Sequence, residues 1–262
     1  MSKYIKLFET TSQYDAYTAD TTNFILPNLT LCKDAPTVVY YNPTTPPAPS
    51  HEYVEIGGVK WATMNVGATD ITDYGLYFQW GDTQGYTADQ VGSEEGQKYF
   101  DWEDYKYASI ETGTSSSGSG GTTIVMTKYN GSDGKTVLDA SDDAVTAAWG
   151  GNWRMPTKDE FEALGTATTS VWTSNYGGSG VDGFVLTDKT DSSKTLFFPA
   201  AGFFTEGIGY YVRNDGYYWS SSLPLSNIYY AYVLHLDGSY VYWQHDYSRY
   251  YGCAVRGVLD ES

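Results

Sequence analysis

Between Tyr232 and Trp243 the chain alternates in the way a β-hairpin requires. Tyr232, Leu234 and Leu236 alternate with Val233, His235 and Asp237; after Asp237-Gly238, Val241 and Trp243 alternate with Tyr240 and Tyr242. Successive strand residues point to opposite faces, and Asp-Gly suits the turn. The pattern predicts Tyr232, Leu234, Leu236, Val241 and Trp243 on an inward face. It predicts Val233, His235, Asp237, Tyr240 and Tyr242 on an outward face that serves as a binding platform.

The residues around this hairpin say what such a platform suits. Twelve of the 26 tyrosines fall between Ile208 and Tyr251, among Ser, Asn, Asp, Gly and His and with no Lys or Glu. Tyrosine offers a large, stiff contact area with one polar tip, and Ser, Asn and Gly offer adaptable hydrogen bonds. That is the composition of a paratope, whereas enzyme sites gather a few convergent titratable groups. The competing reading is a Tyr-rich β surface with no role, because aromatic residues also suit strands.

Charge narrows the partners. A net charge of -17 over 262 residues argues against nucleic acid and anionic membrane surfaces. No stretch is long and apolar enough to span a bilayer as a helix. Met1 leads into Ser2-Lys3-Tyr4-Ile5-Lys6 without an apolar run of signal-peptide length, so the expectation is synthesis in the cytoplasm without Sec export. Cys32 and Cys253 lie near opposite ends of the chain, and no CxxC or Cys/His zinc spacing occurs. Their pairing is left open.

Residues 1–42 read as a small β-rich attachment segment, with strand-like runs at Phe24–Leu29 and Thr37–Tyr41. Residues 43–50 are a Pro-rich, extended linker. The main domain, 51–262, opens with a hairpin from Tyr53 to Trp61 turning at Gly57-Gly58. Residues 82–135 read as polar and irregular, with a flexible low-complexity insert from Thr112 to Gly121. Two short helices follow: Ala144–Trp149, capped by Ser141-Asp142-Asp143, and Phe161–Leu164, opened by the Thr157/Glu160 capping box and expected to stop at Gly165. Strands are expected at 183–187, 195–198, 217–220, 229–236, 239–243 and 252–258.

Gly150-Gly151-Asn152-Trp153-Arg154-Met155-Pro156-Thr157 with Glu160, Tyr218-Trp219-Ser220-Ser221-Ser222, and Ala254-Val255-Arg256-Gly257-Val258 form a motif series. It resembles the C-type-lectin-like domains of the formylglycine-generating-enzyme type, especially the FISUMP branch, over roughly residues 51–258. The resemblance implies an α+β, C-type-lectin-like fold with two short helices and a twisted antiparallel sheet, closed by joining its two ends. Trp153, Trp219, Trp243, Leu234 and Val255 are its expected core.

Within that family the C-terminal stretch, about 208–251, looks most like the variable proteins of diversity-generating retroelements, among them phage tropism determinants. Adenine mutagenesis of Asn-type codons reaches Tyr, Asn, Asp, Ser, His, Ile, Val and Leu, but not Trp, Gln, Glu, Lys or Met. The resemblance therefore implies ligand-binding positions at Tyr210, Tyr211, Asn214, Asp215, Leu223, Leu225, Ser226, Asn227, Ile228, Tyr229, Tyr230, Val233, His235, Asp237, Tyr240, Tyr242, His245, Asp246, Tyr247, Ser248, Tyr250 and Tyr251, with Trp219, Trp243, Gln244 and Arg256 as framework. The implied partners are a host cell-surface protein or glycan, and other virion proteins through residues 1–42. Trimers are common among phage receptor binders, so a homotrimer is considered too. The implied location is a virion, assembled in the bacterial cytoplasm. The alternatives are a non-diversified bacterial FISUMP-like module and an enzyme related to sulfatase-modifying factors.

Enzymatic readings find little support in the residues. No nucleophile elbow or triad spacing surrounds His51, His235 or His245, and Ser220-Ser221-Ser222 reads as a strand edge. Cys253 reads as a small buried hydrophobe. Asp101-Trp102-Glu103-Asp104 and Asp139–Asp143 could offer oxygen ligands to Ca²⁺, with a solvated loop and a helix cap as the simpler readings. The Glu-Pro-Asn and Gln-Pro-Asp signatures of calcium-dependent lectins are absent. No metal or cofactor is expected.

Overall fold

The structure is a computed structural model that describes residues 51–114 and 120–260. The expectations for residues 1–42, the linker and Cys32 lie outside the described residues. The described part is mostly antiparallel β-sheet with two short α-helices.

The Gly57-Gly58 turn joins β1 (Tyr53–Ile56) to β2 (Val59–Asn65), as expected. Both glycines have positive φ, at 62° and 78°, the region a tight hairpin turn demands. A hairpin of β3 (Ala108–Thr114) and β4 (Gly120–Met126) comes next. It corrects the reading of 82–135 as irregular: Ile110 pairs with Ile124 and Ser109 with Val125 in regular register.

Helix α1 (Ala144–Trp149) has the expected bounds. The Asp143 carboxylate accepts from Val145 N and Thr146 N at 2.9 Å each and from Met155 N at 2.8 Å, so one side chain caps α1 and pins the next segment to it. After β5 (Trp153–Arg154), Thr157 caps α2 (Lys158–Ala167). The capping box is complete: Glu160 N donates to Thr157 Oγ1 at 3.2 Å, and Thr157 N donates to Glu160 Oε2 at 2.7 Å. Glu160 also pairs with Arg154 at 2.6 Å. The helix runs past Gly165 to Ala167, which corrects the expected stop. Gly165 has a packing role instead: a Cβ there would lie 2.4 Å from the Trp243 ring.

The remaining strands are β6 (Thr168–Thr173), β7 (Gly183–Asp188), β8 (Thr195–Pro199), β9 (Phe203–Thr205), β10 (Ile208–Tyr210), β11 (Gly216–Trp219), β12 (Tyr230–Leu236), β13 (Val241–Ser248), β14 (Gly252–Cys253) and β15 (Arg256–Leu259). They form sheets ordered β6-β7-β8, β10-β9-β14 and β11-β12-β13. A four-stranded sheet, β1-β2-β15-β5, joins the first and last strands of the described domain.

Two apolar clusters fill the interior, one on each side of the β11-β12-β13 sheet. Tyr217, Trp219, Ala231 and Val233 belong to one with Trp80, Trp153 and Val255; Tyr218, Leu234 and Leu236 belong to the other with Trp61, Phe161 and Phe198. Trp153, Trp219, Leu234 and Val255 are buried as expected, but Trp243 is only half-buried, against α2. Fully buried Arg256 ties three elements together. It donates to Asn65 Oδ1 at 2.8 Å, to the Ala62 and Thr63 carbonyls at 3.0 and 2.9 Å, and to the Phe197 carbonyl at 3.0 Å. Burial lowers its pKa to about 10.

Candidate functional site

The hairpin of β12 and β13 turns at Gly238-Ser239. Asp237 Oδ1 accepts from Ser239 N and Tyr240 N at 2.8 Å each, so this carboxylate makes the turn rather than the platform. The register then breaks. Val233 pairs with His245 but His235 pairs with Tyr242, so Trp243 and Gln244 together oppose Leu234. This β-bulge resets the alternation. Plain alternation from Trp243 would turn His245 and Tyr247 toward α2. The bulge turns them instead to the side of Tyr242 and His235, and leaves Asp246 opposite Tyr232 and Ser248 opposite Tyr230 on the other face.

A continuous run of ring contacts results. His235 stacks on Tyr217 at 4.2 Å, on Tyr242 at 5.3 Å and on His245 at 5.4 Å between centroids. Tyr247 meets Tyr217 at 5.1 Å and His245 at 4.9 Å edge-on. Phe203 gathers Tyr217 at 4.9 Å, Tyr251 at 5.0 Å and Tyr210 at 5.5 Å. Tyr251 leads to Tyr250 at 4.8 Å, Tyr250 to Trp102 at 4.7 Å, and Trp102 to Tyr229 at 5.7 Å. Tyr240 joins at the open end, 6.3 Å from Tyr242. Edge-to-face and offset rings of this kind attract beyond their buried area.

The structure thus brings together Tyr210, Tyr211, Tyr229, His235, Tyr240, Tyr242, His245, Tyr247, Tyr250 and Tyr251 of the expected site, with Asp215 beneath them. Tyr211, Tyr240 and Tyr242 are exposed by 54%, 66% and 44%. The other expected positions need correction. Leu223 and Val233 are buried in the interior: Val233 because β12 is a central strand covered on both faces, Leu223 because its loop packs into the same apolar cluster. His235 is buried too, beneath Tyr242, and supports the exposed rings rather than presenting itself. Tyr230 shares the opposite face with Asp246 and Ser248. Asn214, Leu225 and Ser226 are exposed loop residues outside the ring run. Asn227 accepts from Tyr229 N at 3.0 Å and shapes the loop, and Ile228 packs on the interior beside it.

Sequence reasoning missed Phe203, Tyr217 and Trp102, which connect the run. Tyr217 shares its parity with framework Trp219, and that parity was the available signal. Trp102 lies in the stretch read as irregular.

Residues 185–258 match the model of a domain family of unknown function, DUF8237. No curated protein and no solved structure matches the chain. The matched stretch starts within β7 and ends within β15, so it takes in every ring of the run except Trp102.

Electrostatics at the centre are unusual. His235 Nε2 lies 3.3 Å from Asp215 Oδ2, which also accepts from the Tyr217 hydroxyl at 3.3 Å. Burial lowers the His235 pKa, with the Asp215 contact opposing it. The Nδ1 atoms of His235 and His245 are buried without a hydrogen-bond partner. Burial raises the phenol pKa of Tyr217, Tyr247 and Tyr251.

The other candidate groups are engaged by the protein itself. Asp142 accepts from the Tyr129 hydroxyl at 2.6 Å and pairs with Lys106 and Lys128; Asp139 pairs with Lys128 and Lys135. Asp104 accepts from Phe100 N and Asp101 N at 3.1 Å and pairs with Lys98 at 3.1 Å. Ser220 and Ser221 donate to the Tyr232 and Pro156 carbonyls, and Ser222 accepts from Lys158 N. His51 stacks on Trp149 at 3.9 Å, and Cys253 is fully buried with its thiol pKa pushed up.

Proposed function

We propose that this chain is a non-enzymatic binding protein whose contact surface is the exposed rim of the aromatic run, with a C-type-lectin-like framework beneath it. In this reading it is a variable protein of a diversity-generating retroelement, carried on a phage tail, and its ligand is a molecule of the host cell surface. The observation that carries the reading is the pairing of exposed Tyr210, Tyr211, Tyr240 and Tyr242 with a buried supporting layer of Phe203, Tyr217 and His235. Exposed aromatic area of this extent marks binding surfaces, and stiff rings held from below lose little entropy on contact.

The test changes Tyr210, Tyr211, Tyr240 and Tyr242 together to serine. Adsorption of the fluorescently labelled protein is measured on a panel of bacterial strains, beside a melting curve. The expected result is lost or redirected adsorption with the melting temperature little changed. Adsorption identical to the parent would sink the binding reading. Diversification is tested separately in the DNA beside the gene: a near-copy of the segment encoding 208–251, differing at adenines, next to a reverse-transcriptase gene is expected. Its absence would leave a non-diversified binding module.

A further inference from the structure

We infer that the ligand of this surface presents a cationic side chain, a lysine or arginine on a loop of a partner protein, to Asp215 and the tyrosines around it. This deepens the binding reading and rests on it. Between 214 and 248 the chain carries Asp215, Asp237 and Asp246 and no Lys or Arg. Asp237 is spent on the hairpin turn and Asp246 lies on the other face, so Asp215 is the carboxylate of this surface. Its side chain is only 15% exposed, and its two side-chain contacts are a phenol hydroxyl and an imidazole.

Each neighbouring cation points elsewhere. Arg213 lies against Tyr74, where its charge opposes the burial that raises that phenol. Arg249 is buried and donates to the Tyr230 and Tyr129 carbonyls at 3.2 and 2.8 Å. Lys158 lies over the Tyr232 ring on the opposite face and pairs with Asp159 and Glu162. Among the described residues no lysine or arginine forms an ion pair with Asp215. A carboxylate mostly out of water without a counter-charge is costly to hold. An incoming guanidinium or ammonium relieves that cost, and the exposed faces of Tyr211 and Tyr242 attract the same charge. An anionic partner would meet Asp215 and the net charge of -17. A neutral glycan would stack on the rings and leave Asp215 uncompensated.

The experiment is calorimetric titration of the full chain with three probes: a short alternating arginine–glycine peptide, a glutamate–glycine peptide of equal length, and chitotetraose. The arginine peptide is expected to bind, and the other two are not. Asp215→Asn keeps an acceptor oxygen and should weaken the arginine peptide about tenfold. Asp89→Asn removes an equal charge at an exposed site and should leave it unchanged. Tyr242→Phe should retain binding and Tyr242→Leu should weaken it, because only the former keeps a ring face. The inference is overturned if the arginine peptide fails to bind at low salt. It is equally overturned if both aspartate variants weaken binding alike, or if chitotetraose or the glutamate peptide binds independently of Asp215. Failure here, with strain adsorption still lost in the four-tyrosine variant, would remove the cationic ligand and leave the binding reading standing.

Discussion

The two faces of the β11-β12-β13 sheet share one backbone and one degree of burial at their centres, yet they are built differently. Toward α2 lie Tyr218, Leu234, Leu236 and Trp243, and the Tyr218 hydroxyl has a partner: it donates to the Pro199 carbonyl at 2.6 Å. On the other face Tyr217, His235, His245 and Tyr247 stack ring upon ring, and two imidazole nitrogens stay unpaired. Burial alone therefore does not separate framework from contact surface. The place of the unmatched atoms does: Trp61 Nε1, on the α2 side, is enclosed in the interior, whereas the unpaired imidazole nitrogens of the other layer lie beneath exposed rings, where a further partner can meet them.

Substitutions can break this contrast, and the largest effect is expected at a fully buried tryptophan of β11. Trp219 is fully buried and donates to the Phe78 carbonyl at 2.8 Å; Trp219→Ala should cost about 3–5 kcal/mol in chemical denaturation. Gly165→Ala tests the α2 side. Helix propensity alone would favour alanine by about 1 kcal/mol, but the Cβ would strike the Trp243 ring, so a net loss of about 1–3 kcal/mol is expected. A gain in melting temperature would show that Trp243 yields freely.

The third test uses pH. The folded-state pKa of His235 lies below its unfolded value because the ring is buried, while Asp215 and Asp237 oppose that shift and His245 reinforces it. The unfolded chain therefore binds more protons, so this histidine's contribution to stability falls as pH drops below about 6.5 and through the lower folded value. His235→Phe should flatten that slope in melting curves between neutral and mildly acid pH; an unchanged slope would assign it to other groups. The smallest effect belongs to the rim. Tyr240→Ser and Tyr242→Ser should each stay within about 0.5 kcal/mol of the parent, and a larger loss in thermal melts would mark them as framework.

Much of the framework was legible because local chemistry dictates it. The Gly57-Gly58 hairpin, the Asp143 cap and the Thr157/Glu160 box are short-range signals, and each appears where the residues place it. The α2 end was not legible, since Gly165 stops a helix in isolation but here makes room for a tryptophan some eighty residues away in sequence. The β3-β4 hairpin was hidden by its Gly/Ser/Thr composition. The candidate surface was legible as composition but not as geometry. Val233 alternates correctly and is still buried, because periodicity cannot tell a half-covered strand from one covered on both faces. Asp237 has a contact-type side chain, yet its oxygen is taken by the turn.

The two-for-one count at Trp243 and Gln244 acts as a phase slip in β13. Downstream of it, odd-numbered residues exchange sides with even ones. Losing one residue beyond it, Asp246 for instance, would set Tyr247 opposite Tyr232 and send that ring toward the helix. Point changes on the rim leave that phase alone. A surface laid out in this way tolerates rewriting letter by letter and does not tolerate a change in length.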